Sequence, residues 1–390
     1  MAAVPELSST VLDRDLEEKA VLSGNVVSAC ASIFAASRAL LLLVTTIVAA
    51  VTRANPWSVW NRWDTIWYLG IAQNGYHWIN PGHFASQFSG STLAFFPAMP
   101  ALLHLAGGFG ASGIVAGLLI ANLAYFGALL YLYGLLSELW EPQIVRRALL
   151  LLSLFPTAFF FAAPYTESLF LLAAAGTFYH ARERHAGRAG AWLAVAALAR
   201  STAVILVVPA LLLLRPRELR AWLALFAPAA SGWLTYLGYL HTQGISLAAL
   251  ASAQHAWHRG LAFPTTGFAA TLSWLAHNML VQWPIAIESV GGMIATTVFL
   301  LLTVRAWPEL TAPLRAYCLG FWLLILCTPE WLDGYAAPFS SVDRFVLALF
   351  PIAGWVASKL EPNRMRLVAF ASALLMASLA AVHLTGGWIG

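Results

Sequence analysis

Residues 113–137 read GIVAGLLIANLAYFGALLYLYGLLS, twenty-five positions without one charged side chain. As a helix this run is about 37 Å long, enough to cross a hydrocarbon core of ~30 Å. Similar apolar runs predict helices over 27–52, 113–138, 146–162, 165–181, 188–215, 221–241, 284–304, 316–328, 342–358 and 367–386. The run 188–215 is long enough for two short helices bent around Arg200. A β-barrel needs alternating polarity, which these runs lack. The chain is 60% hydrophobic and only 10% charged, against roughly a quarter charged in soluble domains. Such a balance excludes an ordinary soluble protein and predicts an all-α polytopic membrane protein.

Loop charge sets the expected orientation. Arg146 and Arg147, Arg182, Arg184 and Arg188, Arg215, Arg217 and Arg220, Arg305 and Arg315, and Lys359, Arg364 and Arg366 hold thirteen of the 21 cations. Placing all of them in the cytoplasm requires 188–215 to cross twice and the apolar piece 93–107 to dip into the membrane without crossing. Eleven crossings follow, after a cytoplasmic tail at 1–26, with 27–390 as a single transmembrane domain. The extracytoplasmic segments are then 53–112, 156–166, 242–283 and 329–341. Loops as long as the first and third are more often functional than idle connectors, so chemistry is expected on the outer face.

Several function classes drop out. A net charge of +4 spread over membrane loops gives no nucleic-acid reading. Cys30, Cys318 and Cys327 all sit in apolar segments and are read as packing residues. The acidic start, with Asp13, Asp15, Glu17 and Glu18, lacks a basic n-region and a cleavage site, so the first helix is expected to remain. Arginine outnumbers lysine 19 to 2, which suggests a bacterium with a GC-rich genome. No internal symmetry is visible, which counts against a carrier.

One short stretch, RWDTIWYLGIAQNGY at 62–76, places Asp64 among aromatic residues just after the first apolar helix. Drawn as an interfacial helix, Trp60, Trp67, Tyr68 and Ile71 fall within about 60° of Asp64, while Ser58, Asn61, Arg62 and Thr65 form a polar arc. A carboxylate held against aromatic surface is partly desolvated, which strengthens it as a proton acceptor. Capping a helical turn or pairing with a basic group explains Asp64 equally well, and both readings stay open.

Arginines within apolar runs each need a partner or a wet cavity, because an unpaired one costs at least ~2.5 kcal/mol. Arg344, in SVDRFVLALFP, has a planar fork suited to a pair of phosphate oxygens; a neighbour pair with Asp343, or snorkelling, is the plainer account. Arg200, in ALARSTAVILVVP, sits at the expected bend, with Ser201 and Thr202 resembling an N-cap. Arg38 is deeper and is expected to pair internally. Glu167, in PYTESLF, opens a helix where capping explains it, or orients Arg200 or a substrate hydroxyl. His255, His258 and Arg259 lie in the second long outer loop, where donor-phosphate contact and a surface helix compete. Without a third ligand the histidines do not indicate a divalent metal, and no cofactor is called for.

Taken in order, RWDTIWYLGIAQNGY, LAFFPAMPALL, PTAFFFAAPYTESLF, ALARSTAVILVVP and DRFVLALFP resemble the PIG-V-type (GPI mannosyltransferase 2-like) mannosyltransferases, more closely their bacterial relatives, of the GT-C glycosyltransferase superfamily. The resemblance runs from about residue 60 to 355. It implies a GT-C-like bundle whose long first outer loop carries amphipathic helices, in a bacterial cytoplasmic membrane with its active site outside. It also implies a mannosyl or other hexosyl unit moved from a polyprenyl-phosphate carrier to a hydroxyl on a glycan, glycolipid or protein acceptor. The acidic residue expected as general base in the first outer loop matches Asp64. The family's Ser-Arg motif is represented by Arg200 and Ser201, and its acidic helix start by Glu167 and Ser168, with different neighbours.

The expected reaction is a single in-line displacement that inverts the anomeric centre, with Asp64 as base and Arg344 and Arg200 on the donor phosphate. Arg62, Trp63, Glu167, His255, His258 and Arg259 are the supporting candidates. A lipid-linked sugar flippase is the competing reading. The outward acids Asp64, Glu167, Glu288, Glu330, Asp333 and Asp343 favour one-sided chemistry over it.

Overall fold

A computed structural model of the chain describes residues 23–77, 91–108, 110, 112–253, 255–280, 283–332, 335–336, 338–339 and 341–389. The acidic residues of the N-terminal stretch, Asp333 and the side chain of Glu288 lie outside that description. The elements, in order, are α1 (Gly24–Thr52), α2 (Asp64–Asn74), α3 (Ala98–Gly108), α4 (Gly113–Leu136), α5 (Pro142–Ser153), α6 (Glu167–Arg182), α7 (Ala186–Ala199), α8 (Val207–Leu214) and α9 (Leu219–Thr242). There follow α10 (Leu247–Ser252), α11 (Thr266–Asn278), α12 (Trp283–Ala306), α13 (Ala312–Cys327), the antiparallel pair β1 (Trp331–Leu332) and β2 (Tyr335–Ala336), α14 (Val342–Phe345), α15 (Phe350–Lys359) and α16 (Pro362–Leu384).

Among the described residues, five helices are long and apolar enough to cross a membrane: Gly24–Thr52, Gly113–Leu136, Leu219–Thr242, Ser289–Glu309 and Pro362–Leu384. The other apolar runs are shorter or interrupted, so eleven crossings exceed what helix length alone supports. The run expected over 146–162 ends at Ser153 and resumes as a 3-10 turn at Ala158–Phe161, beyond Pro156. A proline has no N–H to continue the ladder. The run expected over 342–358 is divided into α14, a 3-10 turn at Val346–Ala348, and α15 with a proline in its first turn.

At the centre stands α6, whose residues are buried almost all round, as expected of a helix that is apolar on every face. The segment after it does turn at Arg200: α7 runs one way, Arg200 is extended (φ −154°, ψ 146°), and a 3-10 turn at Ser201–Leu206 leads into α8. The expected N-cap by Ser201 or Thr202 is not formed, because Arg200 itself takes the cap position without a side-chain bond. Arg184 donates to the Leu214 carbonyl, so the two limbs begin and end at the same level. They are about 21 and 24 Å long, short of a full core. Helix α7 packs along α9 closely enough that a Cβ at Gly190 would stand 2.2 Å from the Ala224 carbonyl oxygen. Only glycine permits that approach.

Arg38 of α1 is satisfied internally, as expected. Its Nε donates to Asn122 Oδ1 at 2.6 Å and its guanidinium lies 4.5 Å from the Tyr125 ring centre. Cys30 and Cys318 are buried and all three cysteines are free.

The fold therefore has two chemically different ends. Arg182, closing α6, meets Glu138, and Lys359 pairs with Glu309 at 2.8 Å. At the opening end of α6, Glu167 faces Arg200 and Arg344.

Candidate active site

Asp64 is the first residue of α2. The stretch 58–71 is not one continuous helix: a 3-10 turn covers Ser58–Trp60, and the chain breaks over 61–63 before α2 begins. Trp60 therefore does not share a helical face with Asp64, which corrects the wheel drawn from sequence. Trp63 breaks the chain with φ 48°, a conformation strained for a bulky side chain by order of 1–3 kcal/mol. The Asp64 N–H donates to Tyr165 Oη at 3.2 Å, and that hydroxyl in turn donates to the Arg62 carbonyl at 3.4 Å.

Four charged side chains form an alternating chain. Asp64 Oδ2 lies 2.8 Å from Arg344 Nη1. Arg344 Nε lies 2.9 Å from Glu167 Oε1, an ion-pair distance at which its N–H is not aimed along a hydrogen bond. The same Glu167 oxygen is 2.5 Å from Arg200 Nη1. Asp64 Oδ1 has no hydrogen-bond partner among the described residues, and Asp64 lines a cavity of about 570 Å³. Tyr68 and Thr166 line it too, joined by a 3.2 Å hydrogen bond. Burial, then the charges of Asp64 and Glu167, hold the Tyr68 phenol well above its ordinary pKa, so it remains protonated.

The cavity falls within the usual range for a small-molecule site. Its aromatic wall includes Tyr68, Phe95, Phe96, Trp257, Phe345 and Trp388. Three guanidinium groups surround the Phe345 ring, those of Arg200 at 5.2 Å, Arg344 at 5.5 Å and Arg259 at 5.6 Å. Arg259 also approaches Glu330 at 3.4 Å, and an isolated bridge joins their backbones. Burial pushes the Glu330 carboxyl above its ordinary pKa, against the lowering influence of Arg259. His258 (φ 56°) and Ser341 (φ 64°) add strained backbone beside Arg259 and Arg344.

The fold thus brings together Asp64, Glu167, Arg200 and Arg344 from four separate segments, with His255 and Arg259 on the same wall. Of the plainer accounts of Asp64, pairing with a basic group is realised, whereas capping is not: Trp63 takes the cap position and no side chain bonds there. Arg344 does not pair its guanidinium with Asp343, which instead accepts the Arg344 backbone N–H at 2.9 Å. Arg62, Trp63 and His258 do not line the cavity. Arg62 Nε reaches the Leu384 carbonyl and Trp63 Nε1 the Gly387 carbonyl, each at 3.2 Å. The His258 carbonyl accepts from the Trp331 N–H at 2.8 Å. Among the described residues no group of three His, Cys, Asp or Glu side chains is placed to share a metal ion.

Sequence reasoning did not single out Trp257, Phe345 or Trp388 as site residues. All three sit on the cavity wall. Phe345 was within reach, since it follows Arg344 directly; nothing local marks Trp388.

Comparison with known proteins bears on the first half of this site. Residues 29–213 match the family model described as Mannosyltransferase (PIG-V). Asp64, Glu167 and Arg200 fall inside the matched region, and Arg344, Arg259 and Trp388 fall outside it. GPI mannosyltransferase 2 from two strains of Cryptococcus neoformans var. neoformans serotype D is 32% identical over 150 residues, 37% of this chain. That alignment spans about a third, 34%, of the relatives' length. Among solved structures, the Archaeoglobus fulgidus oligosaccharyltransferase in complex with zinc and sulfate is 14% identical with a TM-score of 0.41, over 90% of this chain and 54% of that one. The same enzyme tethered to an acceptor peptide gives 12% and 0.39, over 91% and 56%.

Proposed function

We propose that the protein is a membrane glycosyltransferase that moves a mannosyl or related hexosyl unit from a polyprenyl-phosphate carrier to an acceptor hydroxyl. The observation that carries this reading is Asp64, held through one oxygen by Arg344 and lining a cavity that Arg200 and Arg259 also line. The match of residues 29–213 to a mannosyltransferase family supports the choice of sugar.

In this reading the acceptor hydroxyl lies against Asp64 Oδ1 and attacks the anomeric carbon from the face opposite the phosphate. The new carbon–oxygen bond forms as the bond to the phosphate oxygen breaks, inverting the centre, and the hydroxyl proton passes to Asp64. A lipid-phosphate-sugar is a phosphodiester with one negative charge, and the departing monoester carries up to two. Guanidinium groups at that oxygen therefore stabilise the transition state more than the bound donor. In this reading Arg344 and Arg200 supply that charge, with Arg259 adding a third cation. Glu167 holds the first two in position. A donor phosphate that draws Arg344 toward itself frees the paired Asp64 oxygen as the reaction begins.

The site lies at the end of α6 opposite Arg182, Arg184 and Arg215. With those arginine loops in the cytoplasm, the reaction takes place on the extracytoplasmic face of the membrane.

The test incubates purified protein in vesicles with radiolabelled polyprenyl-phosphate mannose and a panel of glycoside and glycolipid acceptors. Labelled product with inverted linkage is the expected result. Translocation of the donor without transfer, or retained configuration in the product, contradicts the reading.

A further inference from the structure

The segment that follows α16 is tied to the turn that presents Asp64. Its own path is set by two glycines. Gly386 has φ +100°, and a Cβ at Gly387 would stand 2.4 Å from Val382 Cγ1, so other residues are strained at the first position and crowded at the second. The Gly387 N–H returns to the Val382 carbonyl at 2.9 Å, a helix-ending bond that turns the chain back. Beyond this turn the segment meets the residues just before Asp64. Arg62 holds the Leu384 carbonyl and Trp63 the Gly387 carbonyl. The Trp63 and Trp388 rings pack edge to face, with centres 4.9 Å apart and planes at 69°. Trp388 is half-buried and forms part of the cavity wall.

We propose that residues 384–388 belong to the active site, and that Trp388 is the platform on which the ring of a pyranoside or cyclitol acceptor lies. This rests on the transfer reaction proposed above. An acceptor hydroxyl must come within about 2.6–3.2 Å of the Asp64 carboxylate to give up its proton. The guanidinium groups gather around Phe345 on the donor side. Trp388, braced against Trp63, stands on the Asp64 side. A sugar or cyclitol ring has a C–H face that an indole covers well, and the indole is already immobilised by Trp63 and so loses little freedom on binding.

The test compares two acceptors of similar membrane affinity with labelled polyprenyl-phosphate mannose as donor: octyl α-D-mannopyranoside, which has a ring, and 1-O-octylglycerol, which has none. Trp388→Ala is expected to lower the preference for the ring acceptor, as the ratio of kcat/KM values, about tenfold. The donor KM should stay within about twofold of wild type. Trp388→Phe should recover most of the preference and guards against misfolding of the alanine variant. An equal loss toward both acceptors, or an unchanged ratio, overturns the platform role while leaving transfer intact. If wild-type protein transfers to neither acceptor nor to any other glycoside, the transfer reading and the platform fall together.

Discussion

At one end of α6, Glu167 is enclosed by Arg200 and Arg344, and these side chains with Asp64 are only 6–17% exposed. At the other end Arg182 pairs with Glu138 at about a third exposure for each partner, and Lys359 with Glu309 at nearly half. Both ends pair basic side chains with carboxylates, but the energetics differ. Exposed pairs contribute about 0–1 kcal/mol each, because water already satisfies both charges. Buried pairs are set against a desolvation cost of several kcal/mol per ion and are often no more stabilising than apolar packing. Stability alone gives no reason to keep two buried and two largely covered charges together beside a cavity. A reaction that builds charge on a leaving group does.

That contrast is sharpened most by Glu167→Ala, which leaves two guanidinium groups facing each other without their shared carboxylate. A loss of about 3–5 kcal/mol in stability is expected, with transfer abolished; thermal denaturation in detergent and the transfer assay measure the two. Next comes Arg344→Lys, which keeps the charge but cannot reach Asp64 and Glu167 together. The expected fall in kcat is roughly 10²–10³, the scale of losing one charge-stabilising donor. At the other end, Lys359→Ala removes a surface pair with Glu309 and should change stability by no more than ~1 kcal/mol and transfer not at all. Comparable losses from Lys359→Ala and Arg344→Lys would dissolve the contrast.

The reach of the sequence differs along the chain for physical reasons. Arg200 marked its own bend, because an arginine in a long apolar run must find a partner and interrupts the segment where it does so. The boundaries of α1, α4 and α9 were legible for a related reason: uninterrupted hydropathy has no competing structure in lipid. The turn before Asp64 was not legible. No glycine or proline marks the break at Trp63, and the turn bonds a segment more than 320 residues away. Arg259 and Glu330 were each visible as charged outer residues, but their pairing depends on how two distant loops meet. Trp388 gave no local sign at all; only the fold brings it beside Trp63.

The central claim is that the Asp64 carboxylate takes the acceptor proton. Asp64→Asn keeps the size of the side chain and removes the charge, so single-turnover transfer from labelled polyprenyl-phosphate mannose, measured beside donor binding to the same protein, tests it directly. A rate lower by about 10²–10⁴ with donor affinity unchanged is the predicted result. Transfer within about threefold of wild type would contradict it.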